Sequence, residues 1–283
     1  MRQVKGVGVS LVLAVCMVSM AVADSAGVAS KIATAQAAVS AGKGKEAAAD
    51  LNAVAEMLDK DAAGAGEFAQ AFAAWQSKSA KQLAEELGKG AKVKEVRIEI
   101  LALRTADLYG ALIPAGKGEF TAAAAHLTKL ATGAPEVTKA GLQEAAKALS
   151  DAAAGKGDKR VALGMMNVRL GSSVALAKAI ELIEQDKPKV AAVWAISAVE
   201  YMGLEEKAAG AQAAEGINDL ALDVKGGLIN DLEGGRRLEM DEVKSVLGAI
   251  EEIILDAYKS SPPPGEKKAE LPAEKKAEAP AKD

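Results

Sequence analysis

Alanine occupies 63 of the 283 positions, and no other feature limits the folding of this chain so strongly. Alanine is the best helix former and loses no side-chain entropy in a helix, but it brings little apolar area to a core. Leucine, glutamate and lysine, also strong helix formers, fill much of the remainder. No stretch between Asp24 and Lys259 alternates with the period of two expected of a half-buried strand. The expected fold is all-α, and an Ala-rich helix must pack closely against others because its own apolar stripe is thin.

The helical period is clearest near the end. Val243, Val246, Leu247, Ile250, Ile253, Ile254, Ala257 and Tyr258 follow i, i+3, i+4, i+7 spacing, with Asp241, Glu242, Lys244, Glu251, Glu252 and Asp256 on the other face. Val93, Val96, Ile100, Leu101, Leu108 and Leu112 make a second stripe, and Ala47, Leu51, Val54, Ala55 and Leu58 a third. Gly-Lys-Gly occurs at 42–44, 88–90, 116–118 and 155–157, each time between two apolar-periodic segments. Glycine ends helices because it accepts a left-handed backbone at little steric cost. Each copy therefore reads as the turn of a helical hairpin. A further turn is expected at Gln185-Asp186-Lys187-Pro188, where proline suits the first position of a new helix. Other breaks are expected at Ala63-Gly64-Ala65-Gly66, Gly133-Ala134-Pro135, Gly171-Ser172-Ser173 and Gly234-Gly235. None of the Gly-Lys-Gly copies meets the G-x-x-x-x-G-K-[ST] pattern of a phosphate loop.

Two family resemblances arise from these hairpins. Gly118, Phe120, Ala123, Leu127, Leu130 and Pro135 resemble the second half of a tetratricopeptide repeat, in which a glycine turn leads to an aromatic, a small and a large apolar residue and a closing proline. Gly157, Asp158, Ala162 and Met166 look like a partial second copy, and Gly42, Ala47, Leu51 and Val54 like a third. The Trp, Leu-Gly and Tyr signature of the first helix is absent, and Pro114 sits where that helix should continue. Ala148-Leu149 through Gly157-Asp158-Lys159 to Ala162, and Ala179-Ile180 through Asp186 to Ala191, resemble the hairpins of the YfdX family of exported helical proteins. The first resemblance implies stacked antiparallel hairpins, as a solenoid or a bundle, that bind protein. The second implies a soluble, stress-associated or chaperone-like periplasmic protein.

The two ends differ from the rest. Arg2 and Lys5, the apolar run Val7 to Met20 and Ala21-Val22-Ala23 form a secretory leader over 1–23, with cleavage expected after Ala23. Leu13-Ala14-Val15-Cys16 leaves a lipoprotein alternative, although valine is a poor residue before a lipidated cysteine. Cleavage removes Cys16 and leaves 33 basic against 39 acidic residues, a net charge of −6. Such a chain is expected to be periplasmic or secreted, to carry no integral membrane segment and to bind no nucleic acid. Residues 24–259 form the expected hairpin domain. Residues 260–283, with three consecutive prolines and EKKAE twice, are expected to be a disordered Lys/Glu/Ala/Pro tail.

Few residues suggest chemistry. His126, the one histidine, sits in an Ala-rich helix without HExxH or HxxE around it and reads as a packed or surface residue. Ser172 and Ser173 follow Gly171 outside any G-x-S-x-G elbow and read as a helix cap. The acidic pairs Asp59/Asp61, Glu85/Glu86, Glu205/Glu206 and Glu251/Glu252 read as solvated faces, because adjacent helical residues do not face one another. Asn230 to Glu242 misses an EF-hand, since Leu232 and Gly234 fall on ligand positions. No catalytic residue, metal site or cofactor is assigned, and the expected protein is not an enzyme.

The aromatics, 3% of the chain, carry the remaining signal. Phe68, Phe72 and Trp75 share one helix face, and Trp194 and Tyr201 share another. They are either core or the wall of a hydrophobic groove for a peptide helix or lipid tail. Lys78, Lys81, Arg97 and Arg104 lie near them in sequence and read either as steering charges for an acidic partner or as a solvated face. The expected function is a non-enzymatic exported binding or scaffolding protein, chaperone-like, with a protein or peptide partner and homo-oligomers allowed. The alternative is a carrier of a small apolar molecule or lipid between its helices.

Overall fold

A computed structural model of the chain describes residues 23–93, 95–134, 136–209, 211–234 and 240–260. The expected leader up to residue 22, Cys16 included, and the expected tail from 261 lie outside the described residues. Eleven helices, α1–α11, account for the described secondary structure, and no strand occurs among the described residues. They are α1 (Ala23–Ser40), α2 (Gly44–Asp61), α3 (Glu67–Gly88), α4 (Glu95–Asp107, continuing through Leu108–Leu112 to Ile113–Gly116), α5 (Phe120–Gly133) and α6 (Glu136–Ala153). Then follow α7 (Lys159–Leu170), α8 (Ser172–Glu184), α9 (Pro188–Ala209), α10 (Ala211–Asp223, continuing through Val224–Ile229 to Asn230–Gly234) and α11 (Met240–Ser260). No helix among the described residues is long and apolar enough to cross a membrane.

The Gly-Lys-Gly copies all fall between consecutive helices, with left-handed backbone at Gly42, Gly90, Gly118 and Gly155 (φ +71 to +85°). Asp186 takes the left-handed conformation in the turn before Pro188, which opens α9. At the start of α7, Asp158 accepts hydrogen bonds from the backbone N–H groups of Arg160 (2.8 Å) and Val161 (3.4 Å). Pro114 does not stop α4. It has no N–H to offer the Gly110 carbonyl, and the wider π turn over Leu108–Leu112 absorbs the missing bond, so the helix runs on to Gly116.

Consecutive helices pack as antiparallel pairs: α1 on α2, α2 on α3, α5 on α6, α6 on α7, α8 on α9 and α9 on α10. In a one-dimensional stack each hairpin would touch only its neighbours. Here α4 packs on α1, α9 reaches α3 and α4, and α11 reaches α7 and α8, so the hairpins fold back on one another. Alanine permits this closeness: Ala35, Ala47, Ala55, Ala80, Ala123 and Ala145 have no exposed surface.

The helices enclose two apolar cores. The first gathers α1 to α7 around Leu51, Phe72, Leu101, Leu127 and Leu149, and takes Tyr201 from α9. The second gathers α8 to α11 around Leu176, Ile180, Trp194 and Leu232, with Leu247 of α11 at its edge. They meet at Gly171, between α7 and α8. A Cβ on Gly171 would lie 1.9 Å from Tyr201 Cε1 and 2.4 Å from Glu205 Oε1. No side chain fits there without separating α9 from the α7–α8 turn. At Gly203, two residues beyond Tyr201 on the same α9, an added Cβ meets nothing within 4 Å.

These two glycines therefore give opposite results. Gly171→Ala is expected to lose about 2–4 kcal/mol of stability through overpacking. Gly203→Ala is expected to change nothing or gain up to about 1 kcal/mol from helix propensity. Urea unfolding of the two variants beside the parent checks both.

Candidate functional site

The bulkiest fully buried side chain among the described residues is Arg104, in α4. Its Nη1 donates to the carbonyls of Leu170 (2.8 Å) and Gly171 (3.2 Å), and its Nη2 donates to Ser197 Oγ (3.2 Å). The guanidinium lies 4.6 Å from the ring centre of Tyr201 and 5.6 Å from that of Trp75. Leu170 and Gly171 end α7, where carbonyls lack helical partners and the helix dipole is negative, so a cation suits the place. Burial pushes the pKa of Arg104 below the usual guanidinium value, opposed by Tyr201, Asp107, Glu205 and Glu200. No carboxylate of the described residues lies within 4.0 Å of its nitrogens, and Nε has no hydrogen-bond partner.

Glu205, also in α9, is the second charged-type residue at this junction and has no exposed surface. Its carboxyl accepts from Ser172 Oγ (2.7 Å) and from the Ser172 backbone N–H (3.4 Å), capping the start of α8 from outside. Burial pushes its pKa up to about 8, opposed by the Ser172 hydrogen bonds and the Arg104 charge. Beside it, Ser173 Oγ donates to Glu251 Oε1 (2.6 Å), and Glu251 also pairs with Arg169.

Several sequence expectations are corrected here. Glu205 and Glu251 do not lie on solvated faces: the junction draws both inward to hydroxyl and cation partners. Ser172 and Ser173 do not cap α8 with their side chains; they are its first two residues, both fully buried, and Gly171 holds the cap position because Tyr201 leaves room for nothing larger. Arg104 belongs to no solvated face. Lys78 and Lys81 are exposed, and Lys81 pairs with Asp59 (3.1 Å). His126 is buried, with Nε2 3.2 Å from Asp107 Oδ1 and its ring against Gly110. No group of three or more His, Cys, Asp or Glu that could hold a metal ion exists among the described residues.

The aromatic residues separate into two places. Phe68, Phe72, Trp75 and Tyr201 form one edge-to-face cluster, with centroids 5.4 Å apart for Phe72–Tyr201 and 5.8 Å for Trp75–Tyr201. Trp194 points into the second core, although it lies on the same helix as Tyr201. Above the cluster, between α3, α4 and α9, opens a cleft of about 450 Å³. Its apolar wall is Trp75, Leu83, Ile100, Leu101, Val193 and Ile196. Ile196, 38% exposed, and Leu222 are the exposed large apolar residues among those described. Polar lining comes from Gln76, Ser197, Lys92, Arg97 and Glu200, and Arg97 is held by Glu86 through two contacts (2.5 and 3.1 Å). Burial raises the pKa of Glu200, opposed by Arg104, Arg97 and Lys78.

Sequence reasoning read Arg104 as a steering or solvated charge and Glu205 as a solvated one, and it missed Gln76, Ser197 and Glu200. A signal existed for the first two. Arg104 interrupts the stripe Leu101, Arg104, Leu108, and Glu205 extends the stripe Trp194, Ala198, Tyr201. A charge at an apolar register of a helix is buried, and so it needs partners. Comparison of the chain with protein families, with curated proteins and with solved structures finds no match.

Glu205 ties stability to pH. Its carboxyl is protonated in the folded state up to about pH 8, and in the unfolded chain it ionises near pH 4.5. Between those values the unfolded state holds fewer protons, so stability falls as pH rises, by at most about 1.4 kcal/mol per pH unit for this one group. Glu205→Gln keeps a neutral side chain of the same shape. Its urea-unfolding free energy is expected to fall less steeply than the parent's between pH 5 and 8, and parallel curves would remove the assignment.

Proposed function

We propose that this chain is a non-enzymatic binding protein, exported to the periplasm or cell envelope, that holds its ligand in the cleft between α3, α4 and α9. The observation that carries the reading is Gln76. It is 2% exposed, it lines the cleft, and its buried side-chain oxygen Oε1 has no hydrogen-bond partner. Buried amides are nearly always paired, and leaving one unpaired costs on the order of 1–3 kcal/mol. A ligand with a hydrogen-bond donor beside an apolar body would satisfy Gln76 Oε1 and cover Trp75 and Ile196 together. The leader over 1–23 supports export.

Scaffolding or chaperone-like service to a protein partner is one form of this function. The carrier of a small molecule is the other, and the size of the cleft favours it. A volume of about 450 Å³ falls in the range of small-molecule sites. Along α3 the lining runs from Trp75 to Leu83, about 12 Å at the helical rise, which is short for a bound helix. Glu200 is the one carboxylate lining the cleft, whereas glycoside hydrolysis by carboxylates requires two.

Native mass spectrometry of the full chain, purified gently from an exporting host, tests the binding function. A reproducible extra mass is expected that organic solvent removes. Ile196→Glu changes a partly exposed rim position, so its thermal midpoint should stay within a few degrees of the parent's while the extra mass disappears. A bare mass in both proteins, at any subunit number, would redirect the reading to structural or scaffolding work.

A further inference from the structure

We infer that the ligand of this cleft is a small neutral molecule, an apolar body ending in a hydrogen-bond donor such as an alcohol, whose donor is held by Oε1 of Gln76. The inference rests on the cleft being the binding site. Gln76 lines the cleft, and its Oε1 is buried without a hydrogen-bond partner. An amide oxygen only accepts, so the group that satisfies it must bring an O–H or N–H. Ser79 and Ser197, which also line the cleft, have partners within the protein. Ser79 Oγ donates to the Trp75 carbonyl (3.1 Å), and Ser197 Oγ accepts from Arg104 Nη2 (3.2 Å). Trp75, Leu83, Ile100, Leu101, Val193 and Ile196 make the rest of the wall apolar. A donor placed against that apolar wall instead would lose water and gain no bond, so Oε1 fixes which end of the ligand goes in.

The charges around the cleft decide between a neutral and a charged donor. A primary ammonium could also donate to Oε1. Lys92 and Arg97 line the cleft, however, and the Arg104 guanidinium stands behind Ser197. Glu200 is the one carboxylate in the lining, and Arg104, Arg97 and Lys78 already act on it. The nearby Glu86 is taken up by Arg97 (2.5 and 3.1 Å). Lys78, Lys92, Arg97 and Arg104 thus stand against Glu86 and Glu200. An ammonium head would give up its water among cations and find no free carboxylate. A carboxylate head suits those cations but has no proton for Oε1, and the two oxygens would repel. A neutral donor satisfies the oxygen without adding a charge. Gln76 is also a residue that stability alone does not favour, because an apolar side chain of the same shape would leave nothing unpaired.

Octanol, octyl methyl ether, octylammonium and octanoate share one apolar body and differ in donor and charge. Titration calorimetry of each against the full chain tests the inference. Octanol is expected to bind the most tightly, with octylammonium and octanoate each weaker by about tenfold. Gln76→Met keeps an unbranched side chain and removes the acceptor. In that variant the ratio of octanol to ether affinity is expected to fall by about tenfold, the worth of one hydrogen bond, while ether affinity stays within about twofold. Its thermal midpoint is expected at or above the parent's, because an unpaired buried group is gone. Lys92→Glu, at the exposed rim, is expected to tighten octylammonium by about threefold and to leave octanol unchanged. That variant keeps the test open should the buried one not fold. An octanol-to-ether ratio that Gln76→Met leaves unchanged would overturn the inference. So would octylammonium or octanoate binding as tightly as octanol, or octylammonium indifferent to Lys92→Glu. If none of the four binds while Ile196→Glu still removes a co-purifying mass, the neutral donor fails and the binding function stands. If Ile196→Glu removes nothing as well, both fail together.

Discussion

The guanidinium of Arg104 is the contact on which the two halves of this molecule depend. It leaves α4, crosses the first core and ends on the last carbonyls of α7 and a hydroxyl of α9. Hydrogen bonds to a charged group contribute roughly 1.5–3 kcal/mol each. Removing the side chain would take those bonds away and strand three buried polar partners. The arrangement also sets its neighbours. Tyr201 must lie flat beside the guanidinium, Gly171 must carry no side chain, and the start of α8 must find a cap elsewhere. Glu205 provides that cap because α9 brings it to Ser172, four residues beyond Tyr201. Arginine, serine, glycine, tyrosine and glutamate at this junction are thus one solution to one packing problem.

Alanine explains why such a solution is needed. Helices faced with alanine approach closely, but each buried methyl removes little apolar area from water. The chain compensates with many contacts inside each core, yet between the cores few large apolar side chains are available. The junction is built from polar and aromatic groups instead. Polar packing is directional, and satisfying every atom within it is harder than filling a space with leucine. Arg104 Nε and Gln76 Oε1 are among the buried atoms left without a partner. They cluster where α3, α4 and α9 fail to close completely, and that incomplete closure is the cleft.

Much of the architecture was legible in the residues. The Gly-Lys-Gly turns, Pro188 and the apolar stripes of α2 and α4 located hairpins that the described residues form. Phe68, Phe72 and Trp75 were legible as one face, because 3.6-residue periodicity fixes which side of a helix is buried. What that side meets is a tertiary fact. Trp194 and Tyr201 share a helix and a register but enter different cores, because α9 is the wall between them. Ser172 and Ser173 looked like caps because local sequence suggests local bonds, whereas their acceptors lie 33 and 78 residues away. Pro114 looked like a break because the compensating π turn depends on the packing of α4.

The polar residues of the site were hidden for the same reason that makes them informative. A charge on an apolar stripe contradicts the local pattern, and on sequence alone it reads as noise on a helix with many lysines and glutamates. In the fold each such residue is expensive: a buried ion needs partners, and replacing a buried polar set by apolar residues of equal volume is often neutral or stabilising. Arg104 and Glu205 therefore need a justification beyond holding two cores together, which leucine and methionine would do as well. Arg104 has one. It places a positive charge behind Ser197, which lines the cleft, and burial that holds Glu205 protonated weakens the compensation of that charge.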